Sequence, residues 1–168
     1  MTTWLAKCVL VVGLASGLAA CLEDSPYRLR TTNPFNYKEV EWATKRGTNT
    51  LSGKILFPGP DGKTRPCDFA SLNPDSAHNR ERFTILYGGI DDKVIPTKDI
   101  AKLFDFQNPL RDRTQHTDVC GSRGDFSIRR IPDGVWYFIG VLNSRETGSL
   151  LLRRIEFHGN ETIQLNYP

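Results

Sequence analysis

The chain has 168 residues, 39% hydrophobic and 24% charged, with 14 Gly, 10 Pro and 4 Cys, and its 22 basic against 19 acidic residues leave a net charge of +3. That length suits one domain with a real core, and the composition excludes a disordered chain, a collagen-like fibre and a polytopic membrane protein. The basic pairs Lys45-Arg46, Arg129-Arg130 and Arg153-Arg154 are far apart with acids between them, so they read as solvated charge and no nucleic-acid partner is expected.

Residues 1–20 read as an export signal. Met1 to Lys7 carries one positive charge, and Cys8 to Leu18 is apolar or small throughout. This core is shorter than the roughly 20 residues a transmembrane helix needs and fits a secretory h-region. A conventional cut after Ala20 would put the bulky Leu18 at the −3 position, which favours small residues. Leu18-Ala19-Ala20-Cys21 instead resembles the bacterial lipobox. The resemblance implies that the Cys21 thiolate takes a diacylglyceryl group and that Cys21 becomes the new N-terminus. A plain signal cut after Gly17 is the alternative. Two or three acyl chains would hold the protein on a membrane without spanning it, because one chain binds only marginally. By resemblance to enterobacterial lipoprotein sorting, Leu22 in place of Asp implies the outer membrane, facing the periplasm.

The cysteines support export. Cys8 leaves with the signal, Cys21 is used by the lipid, and Cys67 and Cys120 remain. An even remainder in an exported chain predicts one disulfide, closing a loop of about 53 residues. Two buried thiols or a metal pair are the alternatives, but neither a CxxC pair nor a nearby His supplies zinc spacing.

The mature chain keeps 148 residues and a net charge of +2. Leu22 to Pro34 is polar, contains two prolines and reads as a tether. Asn36-Tyr37-Lys38-Glu39 has capping-box form, with Phe35 and Val40 in staple positions and Gly47 as a stop, which predicts a short helix over 37–46. Trp42 would anchor that helix on the domain or sit at a lipid interface. From Thr48 onward strands are expected: 48–57, broken by Pro58-Gly59-Pro60-Asp61-Gly62; 67–72, with Cys67, Phe69 and Ser71 opposite Asp68, Ala70 and Leu72; and 82–87, ended by Gly88-Gly89. Ile100, Leu103 and Phe104 suit one or two helical turns. Strands at 114–120, 125–131, 135–143, 150–157 and 162–167 complete the series, joined by Gly-rich turns. The segment Trp136 to Leu142 is apolar on both faces and predicts a central strand covered on both sides, with Gly140 allowing a close neighbour. Short strands with little helix predict an all-β, antiparallel sandwich of about seven to eight strands with a short N-terminal helix.

Residues Cys120 to Tyr137, with Gly124 at a turn, Phe126 and Ile128 facing inward, and Ile131-Pro132-Asp133-Gly134 stepping into the next strand, resemble the carboxypeptidase regulatory-like, or transthyretin-like, β-sandwich. Gly47 to Ile55 is similar to the opening strand of that family, and Cys67 and Asn73-Pro74 follow where bacterial members carry a Cys and an apolar-x-Pro. The resemblance implies the fold more than any activity, since such domains include attached modules without activity of their own.

Candidate chemistry is sparse. Arg123-Gly124-Asp125 spells an integrin-binding tripeptide, but the turn already requires Gly124, so a structural turn is expected. His78, His116 and His158 stand alone in sequence. Asp91-Asp92 lacks the ligand spacing of an EF-hand, and Asn160-Glu161-Thr162 reads as a turn before a strand. Neither GxSxG, HExxH nor a phosphate-cradling loop occurs. The expected organisation is a signal over 1–20, a tether and short helix over 21–46, and the sandwich over 47–168. The expected function is a non-enzymatic, lipid-anchored envelope protein that binds a protein or a cell-wall glycan and needs no cofactor or metal. A periplasmic hydrolase using His116 or His158 with Asp118, and a small-ligand carrier of transthyretin type, are the alternatives.

Overall fold

A computed structural model describes residues 31–59, 61–89, 93–97, 109–142 and 148–167. The signal, Cys21, most of the tether, Asp91-Asp92 and the predicted turn at 100–104 lie outside the described residues.

Among the described residues, segments separated by turn signals fold as nine strands: β1 (Asn49–Pro58), β2 (Thr64–Pro66), β3 (Phe69–Pro74), β4 (Lys93–Thr97), β5 (His116–Val119), β6 (Asp125–Ile131), β7 (Gly134–Leu142), β8 (Gly148–Phe157) and β9 (Thr162–Tyr167). They form two sheets. In the first, β1 pairs antiparallel with β2 and β6, and parallel with β9. The second has the order β4-β8-β7-β3-β5 and is antiparallel throughout. The all-β sandwich expected from the sequence is therefore present, with one parallel pairing, β1 on β9, added to it.

The core lies between the sheets. Leu51, Ile55 and Phe57 of β1, Phe126 and Ile128 of β6 and Leu165 of β9 meet Ala70 and Leu72 of β3, Trp136 and Phe138 of β7, and Ile155 and Phe157 of β8. The opposite face of β7 is buried too, as its sequence predicted. Tyr137, Ile139 and Val141, with Leu150 and Leu152 of β8, form a second cluster under Phe83. At Gly140 a Cβ would lie 2.7 Å from Ile55 Cδ1, so the absent side chain is what lets the two sheets approach there.

The element carrying Phe83 corrects the sequence reading. Residues 82–87 belong to a helix, α2 (Ala77–Tyr87), and not to a strand. Phe83, Thr84 and Ile85 are β-formers, which favours a strand locally. The ends decide otherwise: Ser76 Oγ accepts the Asn79 N–H at 3.1 Å, and Gly88 closes the helix in the left-handed region with φ 67°. Both are ordinary helix boundary signals. The buried positions His78, Asn79, Arg82 and Phe83 have helical spacing, but three of the four are polar, so an apolar periodicity never appears in the sequence.

The predicted N-terminal helix is a single α-turn, α1 (Tyr37–Val40), continued by a 3₁₀ turn over Glu41–Thr44. Asn36 caps it as expected, accepting from Lys38 N. Glu39 does not close the capping box. Its carboxylate instead accepts the Ala77 N–H at 2.8 Å, at the start of α2. The chain just before α1 is clasped to α2 as well: Glu81 accepts from the backbone N–H and side chain of both Thr32 and Asn33 at 2.6–2.8 Å. These donors hold the Glu81 carboxyl down to about 2, the Thr32 N–H being the largest cause. His78 Nδ1 donates to the Asn33 carbonyl at 2.8 Å.

Cys67 and Cys120 are joined in a disulfide, with Cα atoms 5.6 Å apart. Its place in the topology is specific. Cys67 N–H bonds the Ile55 carbonyl in the first sheet, whereas the next residue, Asp68, bonds Val141 in the second. The bridge thus sits where the chain crosses between sheets.

Candidate functional site

At one end of the sandwich the start of β1 and two turns are laced together around Asn49, which is fully buried. Its Nδ2 donates to the Ile131 carbonyl at 3.0 Å and to Asp133 Oδ1 at 2.8 Å, and its Oδ1 accepts the Glu161 N–H at 2.8 Å. Asp133 Oδ1 also accepts the Gly159 N–H at 2.6 Å, and Asn160 N–H donates to Thr48 Oγ1 at 3.0 Å. One side chain therefore ties the start of β1 to the β6–β7 and β8–β9 turns. The bond from Asn49, followed by that from Gly159, holds the Asp133 carboxyl below the ordinary range.

The segment from the 3₁₀ turn into β1 is pressed against this end. Gly47 N–H donates to the Arg130 carbonyl at 3.0 Å, and a Cβ at Gly47 would fall 1.9 Å from the Ile131 carbonyl oxygen. Only glycine permits that approach. Trp42 is set on the same side. Its ring meets Trp136 edge-on at 5.1 Å and covers Gly134, where a Cβ would come within 2.8 Å of the indole. Trp136 is itself fixed, its Nε1 donating to the Pro132 carbonyl at 3.1 Å.

Trp42, Lys45, Arg46, Thr48, Pro132 and Asp133 line an open surface hollow of about 380 Å³. Trp42 is half-buried and Lys45 and Arg46 are exposed. Among the described residues neither cation has a hydrogen-bond or ion-pair partner. A half-buried indole beside hydrogen-bonding side chains offers apolar and polar contacts together.

The other residues that carried chemical alternatives are committed elsewhere. His116 and Asp118 stand two residues apart on β5, yet His116 Nε2 donates to the Ala43 carbonyl at 2.9 Å and its ring meets Trp136 edge-on. Both Asp118 oxygens accept backbone N–H groups, from Val119 at 3.0 Å and from Ser127 at 2.6 Å. His158 is exposed in the β8–β9 turn, 3.7 Å from Glu156. The hydrolase arrangement considered from sequence is thus not assembled: one carboxylate caps the edge of β6, and the two imidazoles have separate partners. Arg123-Gly124-Asp125 is a turn. Gly124 has φ 83°, its N–H donates to Gly121 and its carbonyl accepts from Ile55, while Arg123 pairs with Asp125 at 3.3 Å. Among the described residues no group of three His, Cys, Asp or Glu is placed to hold a metal, and no helix is long and apolar enough to cross a membrane.

The sequence reading treated Lys45-Arg46 as surface charge, Asp133 as a turn residue and Trp42 as an anchor. Each description is locally right, but their convergence depends on Gly47 and Asn49 bringing distant turns together.

No protein-family model matches this chain, and no curated protein matches it. A solved structure does: the crystal structure of a "putative carbohydrate binding protein" from Pseudomonas aeruginosa, with a TM-score of 0.56 and 14% sequence identity, the match covering 81% of this chain and 98% of that one. At that identity the likeness is one of fold, and the two chains are similar β-sandwiches.

Proposed function

We propose that this is a lipid-anchored, non-catalytic envelope protein whose β-sandwich binds a glycan in the hollow beside Trp42. The observation that carries the reading is the hollow itself, in which a braced indole stands next to polar side chains with binding capacity to spare. A pyranose offers an apolar C–H face and a rim of polar groups, which is the complement of that lining. The fold likeness to a "putative carbohydrate binding protein" supports this choice over a protein partner. The anchor rests on Leu18-Ala19-Ala20-Cys21, with acylated Cys21 at the new N-terminus and the outer membrane, facing the periplasm, as the location. The sequence resemblance to carboxypeptidase regulatory-like domains fits an attached binding module.

The test has two arms. The mature protein titrated with soluble cell-wall oligosaccharides should bind, and Trp42→Ala should weaken binding at least about tenfold, or ~1.4 kcal/mol, without loss of fold. Turnover of a glycan by the purified protein would overturn the non-catalytic reading. In the second arm, Cys21→Ser should abolish metabolic lipid labelling and release the protein from membranes; continued labelling would refute the anchor.

A further inference from the structure

We infer that the free edge of β9 pairs with the same edge of a second copy of this chain, the two strands running antiparallel about a twofold axis at Gln164 and joining the two first sheets into one.

An open sheet edge offers a row of unpaired N–H and C=O groups, and proteins that stay monomeric blunt such edges with charge, proline, bulges or very short strands. Among the described residues the other edge strands carry these devices. β2 is three residues long and includes Arg65 and Pro66, and β4 includes Lys93 and Pro96. β5 carries Asp118, whose carboxylate takes the Ser127 N–H on the adjoining edge of β6, where Arg129 and Arg130 follow. β9 differs from all of them. Thr162-Ile163-Gln164-Leu165-Asn166-Tyr167 is uncharged and free of proline, and it pairs with β1 over six consecutive residues without a bulge. Nothing among the described residues pairs with its other side.

The pairing with β1 fixes which backbone groups are open. Thr50 N–H bonds the Glu161 carbonyl, and backbone groups alternate sides along a strand, so positions 161, 163 and 165 turn theirs to β1 while Thr162, Gln164 and Asn166 turn theirs outward. Those three residues are also exposed.

The strand is complementary to itself about its middle. With Gln164 opposite the second copy's Gln164, Thr162 lies opposite Asn166, and all three open residues become hydrogen-bonded pairs, about six backbone bonds in all. Ile163 then lies opposite Leu165, apolar against apolar. Like charges directly opposite would be destabilising, and this register brings none together. Glu161, just before the strand, is turned back on its own loop, where its carboxylate accepts the His158 N–H at 3.1 Å. Such self-complementarity is what an isologous twofold contact requires, and an arbitrary partner strand does not.

The test is analytical sedimentation of the full mature protein in density-matched detergent, combined with cysteine trapping. Wild type should show a monomer–dimer equilibrium. Gln164→Lys places two ammonium groups at the axis and should weaken the dimer at least about tenfold, with the circular dichroism and melting temperature of wild type retained. Gln164→Cys should form an intermolecular disulfide on mild oxidation, because hydrogen-bonded pairs hold Cα atoms about 5.5 Å apart, within disulfide reach. Asn166→Cys, roughly 14 Å from its own copy in this register, should not. Wild type that stays monomeric up to about 0.1 mM would overturn the inference. So would a dimer that Gln164→Lys leaves intact, or trapping through position 166 in place of 164. Each of these results leaves the glycan reading of the Trp42 hollow untouched, since β9 takes no part in it.

Discussion

Removing the Cys67–Cys120 bridge should cost this domain a large share of its stability. The bridge spans 53 residues of sequence, and in the chain-entropy model a loop of that size stabilises by about 4 kcal/mol at 25 °C. Unfolding entropy of about 2.1 cal/mol/K per residue, over the ~138 residues of the unit Thr31–Pro168, gives about 0.29 kcal/mol/K, so Tm should fall by roughly 14 °C. Reduced wild type and the Cys67→Ala/Cys120→Ala variant separate the possible causes. Cys67 belongs to the inter-sheet core, so the variant also loses some packing, whereas reduction keeps both sulfur atoms in place. If constraint of the unfolded chain dominates, the two should lose similar amounts, measured by urea unfolding followed by tryptophan fluorescence. A drop of less than about 1 kcal/mol on reduction would refute the entropic account. A variant far less stable than the reduced protein would assign the effect to packing.

Two further outcomes follow from the hydrogen bonding. Asn49→Ala removes the side-chain partner of the Ile131 carbonyl and of the Glu161 N–H and one of the donors to Asp133, and should cost about 2 kcal/mol; a urea midpoint close to wild type would show that water replaces the side chain easily. Glu81 is held at about 2 against an ordinary 4.5, so its clasp on Thr32 and Asn33 is fully present above pH 4.5 and is lost as pH falls through about 2. Hydrogen exchange should find the Thr32 and Asn33 amides protected at pH 4 and exposed in Glu81→Ala. Equal exchange in variant and wild type would remove Glu81 from that role.

Most of the strand layout was legible from local pattern. Strands β6 and β9 run over the residues their sequence predicts, because Gly124, Pro132-Asp133-Gly134 and Gly159-Asn160 mark turns whose chemistry is local. The doubly buried β7 was legible for a related reason, since a strand with an apolar residue on each face at almost every step has to be covered twice. The helix α2 was not. Its buried face is built from His78, Asn79 and Arg82 as well as Phe83, and burying polar residues erases the periodicity by which a helix is recognised. The capping box at Asn36 and Glu39 was half legible: the Asn36 cap is local, but the Glu39 carboxylate found a better-placed donor in the Ala77 N–H, thirty-eight positions away.

By itself the sequence determined the all-β class and the turns, because each depends on residues close in sequence. The tertiary structure decided what no local pattern contains: which sheet each strand enters, the parallel pairing of β1 with β9, and the hollow beside Trp42. The hollow lies where buried Asn49 ties the start of β1 to the β6–β7 and β8–β9 turns. Gly47, lacking a side chain, then lets the segment bearing Trp42, Lys45 and Arg46 lie against them.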